Sequence, residues 1–396
     1  MIRAVARVVV IVPTATYRAP DFVAAARALG VDLVVASDER PPLAEGVALP
    51  LDDPTEAVAR LEALDQARGV DAVVAVDDGG VIVAAAAGQR LGFPHNPPDA
   101  AAATRDKAEM RRRLAAGEVP QPAFGVEAPG GPDDAASPVG YPCVVKPTGL
   151  SGSRGVLRAD TPAELAAARA RIRRFWSGPL LVERYVPGDE VALEGLLRGG
   201  RLEVLALFDK PDPLVGPTFP ETIYVTPSRH PGGTQQAVTR AVHAACAAVG
   251  LREGPVHAEA RVGDGRVWVL EVAARSIGGL CARTLRFGAG ISLEEVILRH
   301  ALDLPLDDLR RVGGAAGVMM LPVPRTGTLV EVTGTDAARA VPGIVGIELT
   351  VPPGRRVEAL PEGDRYLGFL FARAEQPAAV EAALRDAADR LDIVIT

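Results

Sequence analysis

Short apolar runs alternate with longer Ala-rich stretches from the start of the chain. ARVVVIV (6–12) has the continuous apolar character of a strand covered on both faces. DFVAAARALG (21–30) has helical spacing, and Gly30 ends it. The alternation repeats: VDLVVAS (31–37) as strand, PTEAVARLEALDQARG (54–69) as helix, VDAVVAVDD (70–78) as strand, and VIVAAAAGQRLG (81–92) as helix closed by Gly92. This order predicts a parallel, doubly wound sheet. No G-x-G-x-x-G follows the first strand, so a dinucleotide site is not supported. The strand ends at Pro13–Tyr17 and Asp77–Asp78 still lie where such sheets bind ligands.

FPHNPPD (93–99) breaks the pattern and marks a boundary, and a helix over about 104–116 follows. EAPGGPDDAASPVG (127–140) reads as a connector, and YPCVVKP (141–147) opens a second α/β region. From Gly313 the pattern reads strand, helix, strand, turn, strand, helix, strand, the last helix being PAAVEAALRDAADRL. The expected division is residues 1–95, then 96–310 with a small lobe at about 140–190, then 311–396.

Composition narrows the class. With 48% apolar residues but only 4% aromatics, the 396-residue chain suits packed α/β layers and is long enough for several lobes. The net charge of −7, without a basic stripe, argues against nucleic acid as partner. Arg171, Arg173 and Arg174 suit a solvated helix face. The opening apolar run is too short for a signal peptide core, and no stretch is long enough to span a membrane. Cys143, Cys246 and Cys281 stand far apart without metal-ligand spacing, which fits a reducing, cytoplasmic setting.

Three segments carry candidate chemistry. In CVVKPTGLSGSRGV a strand delivers Lys146, then small residues follow: Ser151, Gly152, Ser153 and Gly155. Small residues let backbone N–H groups approach phosphate oxygens, and a lysine adds a point charge. The order differs from a Walker loop, since the lysine precedes the glycines. In LLVERYVPGDEVALEGLL two carboxylates, Glu183 and Glu190, flank a Pro-Gly turn and suit an amine and a sugar diol. In VHAEARVGDGRVWVLEVAARSIGG two strands flank an Asp-Gly turn. Alternation puts Glu259 and Glu271 on one face, a pair suited to Mg²⁺. Arg275 and Gly278–Gly279 follow. In isolation each segment also reads as an ordinary surface turn or hairpin.

Together with Lys107 in TRDKAEMRRRL, these motifs in this order resemble the ATP-grasp superfamily. The resemblance implies a multi-lobed ATP-grasp fold: a doubly wound N-terminal sheet and a C-terminal α+β domain similar to that of biotin carboxylases. It implies ATP as substrate and two Mg²⁺ ions, for which Mn²⁺ can substitute. Lys107 and Lys146 would contact phosphates, and Ser151–Gly155 would form a lid. Glu183, with the backbone of Arg184 and Val186, would meet adenine, and Glu190 the ribose. Glu259 and Glu271 would hold metal. Arg275 and Ser276 would meet a substrate carboxylate beside the N–H groups of Gly278 and Gly279. Many members carry Asn two residues after the second Glu; here it is Ala273.

The proline-rich segment FDKPDPLVGPTFPETIYVTPS (208–228) looks like the substrate loop of the L-amino-acid ligases, in which an acid and an imidazole meet the amino acid. The matching positions are Glu221 and Tyr224, so tyrosine replaces histidine. Lys210 has two readings, a surface lysine first and a lysine facing the pocket second. The resemblance implies a carboxylate–amine ligase working through an acyl-phosphate, with small-molecule acid and amine substrates and a homodimer as the assembly to test. Two rivals remain: a carboxylase or purine-pathway enzyme activating bicarbonate or formate, and a non-catalytic nucleotide-binding module.

Overall fold

The computed structural model describes residues 5–14, 16–41 and 46–396. Residues 1–4 of the opening stretch and residue 15, within the first predicted ligand-facing strand end, lie outside them.

The N-terminal sheet is parallel throughout. Its strands run in the order Gly46–Ala48, Asp32–Ser37, Arg7–Ile11, Ala72–Ala75. Val8 to Ile11 are all but inaccessible to solvent, which is why that strand is apolar on both faces. Helices Ala19–Leu29, Pro54–Arg68 and Val81–Leu91 cover the sheet. Gly30 and Gly92 end two of them in the left-handed conformation that glycine adopts without strain.

One sequence expectation is corrected here. The helix expected over 104–116 is two helices, Pro98–Arg105 and Lys107–Ala116. Asp106 between them is extended, and its carboxylate accepts the N–H groups of Ala108 and Glu109. An Asp cap outcompetes helix continuation at this point. Lys107 therefore stands at the first position of a helix rather than in its middle.

A small antiparallel sheet forms the lid lobe, in the order Phe124–Glu127, Leu180–Arg184, Cys143–Pro147, Leu157–Ala159. Helix Pro162–Ile172 packs on it through Leu165, Ala168 and Ile172. The largest sheet has eight antiparallel strands, from Arg266–Ala273 through Gly254–Gly263, Asp189–Arg198, Arg201–Lys210 and Ile223–Thr226 to Ala315–Leu321, Gly368–Ala374 and Ile344–Leu349. This sheet runs across residue 310. The tail thus completes the central sheet and adds a three-stranded sheet of its own, Arg356–Val357, Gly327–Thr333 and Asp392–Ile395. No helix among the described residues is long and apolar enough to cross a membrane.

Candidate active site

A cavity of about 440 Å³ opens where the parallel sheet, the lid lobe and the eight-stranded sheet meet. It gathers Lys107, Lys146, Ser151, Gly152, Ser153, Glu183, Arg184, Val186, Glu190, Glu221, Tyr224, Glu259, Glu271, Arg275, Gly278 and Gly279, most of the residues expected from sequence.

One end is cation-rich. Lys107 Nζ donates to the carbonyl of Leu150 at 2.6 Å and lies 3.3 Å from Glu271 Oε1. Lys146 Nζ sits 2.7 Å from Glu183 Oε2, and Arg111 pairs with the other oxygen. Arg111 stands one turn after Lys107 and is completely buried. It also donates to Gln121 and to the carbonyls of Val269 and Leu270, just ahead of Glu271. Burial alone would raise the Glu183 carboxyl, but Arg111 and Lys146 overcome it and hold it at about 2. Burial pulls Lys146 below its ordinary range, and Glu183 offsets only part of that.

The other end is acid-rich. Of the two sequence readings of Lys210, the surface one is overturned and the pocket-facing one is favoured: it is 6% exposed and stands among three carboxylates. Its Nζ lies 2.7 Å from Glu190, 2.9 Å from Glu221 and 3.1 Å from Glu259. Strand Arg201–Lys210 ends there, against Glu190 in the neighbouring strand register. Burial works against the ammonium, but the three acids hold it well above its usual pKa. One lysine cannot neutralise three acids. Burial and the neighbouring Glu259 and Glu190 push Glu221 up to about 7 despite Lys210. Tyr224 donates its hydroxyl to Glu221 at 2.7 Å, and Lys210 lies over its ring. Arg261 takes the remaining Glu190 oxygen at 2.9 Å.

Glu259 and Glu271 are direct partners across adjacent strands, so both carboxylates project from one face. A bulge immediately beyond Glu259 leaves that pair in register. Burial opposes ionisation of Glu259, but Lys210 and His257 hold it well below the ordinary carboxylate range. A pair of half-buried carboxylates on one face fits a hard, oxygen-seeking cation such as Mg²⁺. His257 and the wholly buried Glu194 share a 2.6 Å contact through Nδ1. Burial disfavours the imidazolium, but Glu194 and Glu259 raise its pKa to about 9.

Arg275 does not present an open fork. Its Nε and Nη2 each donate to Asp78 at 3.1 Å, and Nη1 donates to the Ser276 carbonyl at 3.0 Å. Asp78 follows a strand end of the parallel sheet, and Arg105 lies 3.5 Å away. Burial would raise the Asp78 carboxyl, but Arg275 and Arg105 drive it far below its usual range. A guanidinium carries five N–H groups. Three are used here, so one remains on each terminal nitrogen, enough for two-point contact with a carboxylate.

Two expected site residues stand elsewhere. The Gly155 amide donates to the Pro361 carbonyl at 2.9 Å, so that N–H is taken up by the tail and not offered to phosphate. A Cβ at Gly155 would lie 2.7 Å from Pro147, so close packing explains the glycine. Ser276 is 1% exposed, and its Oγ accepts from Arg18 at 2.8 Å, away from the cavity lining. Arg18 also holds the Val76 carbonyl, tying the parallel sheet to this turn. Sequence reading missed Arg111, Glu194 and His257, and held Lys210 only as its second reading. Only His257 left a trace, its spacing of two from Glu259 on one strand face.

Comparison with known proteins agrees with this architecture. An ATP-grasp N-terminal domain model matches residues 23–95, an ATP-grasp domain model residues 139–284, and an L-amino acid ligase C-terminal domain model residues 319–396. The chain thus carries an ATP-grasp domain at residues 139–284, between matching N-terminal and C-terminal domains. In fold it is similar to an L-amino acid ligase from Bacillus licheniformis, with a TM-score of 0.82, 24% identity and 99% of each chain covered. Among curated proteins it is 24% identical over 310 residues to protein y4rH of Sinorhizobium fredii, covering 77% of this chain and 64% of that one. It is 35% identical over 162 residues to a D-alanine–D-alanine ligase of Anaeromyxobacter dehalogenans, covering 39% of this chain and 51% of the relative. The chain thus spans between half and two thirds of the length of these two curated relatives.

Proposed function

We propose that the chain is an ATP-dependent ligase that joins a carboxylic acid, an amino acid first among the candidates, to an amine. One observation carries this reading. A single cavity holds the two lysines and the small-residue turn at one end, the carboxylate pair and Arg275 in its walls, and the Glu221–Tyr224 pair at the other end.

Lys107 and Lys146 meet the phosphates, and the Ser151–Ser153 turn covers them. Glu183 acts chiefly by aiming Lys146, with adenine against the backbone of Arg184 and Val186 and the ribose facing Glu190. The two free N–H groups of Arg275 take the substrate carboxylate. Mg²⁺, exchangeable for Mn²⁺, would be held by Glu259 and Glu271 and would neutralise charge on the phosphates. An oxygen of the carboxylate attacks the γ-phosphorus, ADP leaves, and an acyl-phosphate forms. Lid and tail exclude water, which would hydrolyse that anhydride. The amine then attacks the acyl carbon, loses a proton and expels phosphate, leaving an amide. The amino group of the amino-acid substrate fits the acid-rich end, beside Glu221 and Tyr224. Likeness to ligases in fold and in partial sequence supports the reading. The three buried, free cysteines suit a cytoplasmic setting, and a homodimer follows from the family resemblance alone.

The test is ADP release over a panel of acids and amines, with hydroxylamine as trap and bicarbonate as control. Release that depends on a carboxylic acid, with hydroxamate formed, supports the ligase. Release driven by bicarbonate alone, without amide from any pair, moves the assignment to a carboxylase.

A further inference from the structure

We propose that His257 is a ligand of the divalent cation, taking the place that Ala273 leaves without a donor. This rests on the reading of Glu259 and Glu271 as the metal pair. His257 and Ala273 are direct partners across strands Gly254–Gly263 and Arg266–Ala273, and Glu259 and Glu271 are the next such pair on the same face. Cross-strand partners place their Cβ atoms about 5 Å apart. Position 273 carries only a methyl group, so the space before it is open to the longer side chain opposite.

The imidazole is already oriented for this task. Its Nδ1 is fixed by Glu194, which is completely buried and whose second oxygen accepts the Ile277 N–H at 3.0 Å. Metal-bound histidines are held this way, one nitrogen on a carboxylate and the other on the ion. His257 lines the cavity with its side chain about nine-tenths buried, and Nε2 is the ring nitrogen that Glu194 does not hold. Its nearest acid oxygen, Glu259 Oε1, is 3.5 Å away, too long for a sound hydrogen bond. Two donors at about 2.1 Å from one octahedral ion lie about 3 Å apart, so a shift of a few tenths of an ångström brings Nε2 and Glu259 onto the same ion. An imidazole in the donor set favours Mn²⁺ or Co²⁺ over Mg²⁺.

The test is pulsed electron paramagnetic resonance of Mn²⁺ bound with the methylene analogue of ATP, whose bridge contains no nitrogen. Protein labelled with ¹⁵N only at histidine is compared with unlabelled protein. The expected result is nitrogen modulation whose frequency changes with the label and which His257→Gln abolishes, with Mn²⁺ binding weakened about 10–100-fold. The labelled wild type gives the answer even if the variant fails to fold. Mn²⁺ coupled to phosphorus but to no histidine nitrogen overturns the His257 assignment and leaves the nucleotide–metal reading intact. Absence of any Mn²⁺–nucleotide complex overturns both.

Discussion

The two ends of the cavity use buried charge in opposite ways. Around Glu183 two cations surround one acid; around Lys210 three acids surround one cation, with Arg261 behind. A surplus of positive charge in a buried site attracts an anion such as a polyphosphate. A surplus of negative charge attracts an ammonium group or a metal ion. The difference explains why Glu183 is held at about 2 while Glu221, somewhat more exposed, is raised to about 7. Burial raises both; the neighbours decide.

The largest effect comes from removing a charge that both ends share. Glu271 faces Lys107 on one side and pairs with Glu259 on the other. Glu271→Gln is expected to fold normally and to lose roughly three decades of turnover or more, equal to several kcal/mol of transition-state stabilisation. Steady-state rates at saturating Mg²⁺ check this, and half-retained activity contradicts it. Next comes Arg275. Arg275→Ala is expected to lower both amide and hydroxamate formation about 10²–10³-fold. Arg275→Lys should recover little, because a point charge reproduces neither the Asp78 contact nor the two-point grip.

Breaking the cation-rich end tests stability. Glu183→Gln leaves Arg111 buried beside a neutral amide and is expected to cost about 3 kcal/mol in urea unfolding at pH 7. The wild-type pH dependence carries a definite sign. The folded pKa of Glu183 lies below its unfolded value, so its contribution is present above about pH 4.5 and is lost as pH falls through about 2. Urea midpoints measured from pH 6 downward should fall more steeply for wild type than for the variant. Parallel curves would show that Glu183 is not the group responsible. The smallest effect is at the acid-rich end. Tyr224→Phe removes the hydrogen bond to Glu221 and should raise the KM for one substrate about fivefold, near 1 kcal/mol, with kcat little changed. An equal fall in kcat would place Tyr224 in the chemical step instead.

Local patterns were legible in the chain wherever one element sufficed. The parallel strands, the helix ends at Gly30 and Gly92, the Asp264–Gly265 hairpin and the Glu259–Glu271 pair all follow from apolar periodicity and turn residues. Contacts between distant segments were not legible. Arg111 and Glu183 are 72 residues apart, His257 and Glu194 are 63 apart, and Arg275 and Asp78 are 197 apart. Lys210 was read first as a surface charge and only second as pocket-facing, because nothing in FDKPDP shows that its strand ends against three acids. Asp78 was placed at a ligand-facing strand end but not matched with its arginine. Ser276 and Gly155 fell inside motif windows, yet packing against Arg18 and Pro361 decides what they do.

The central claim is that a substrate carboxylate is activated by phosphoryl transfer, and isotope transfer tests it most directly. An acid labelled with ¹⁸O in both carboxylate oxygens is incubated with ATP, Mg²⁺ and the amine that supports ADP release. If the carboxylate attacks the γ-phosphorus, the phosphate released carries one ¹⁸O atom per amide formed. Amide formation with unlabelled phosphate would contradict the account.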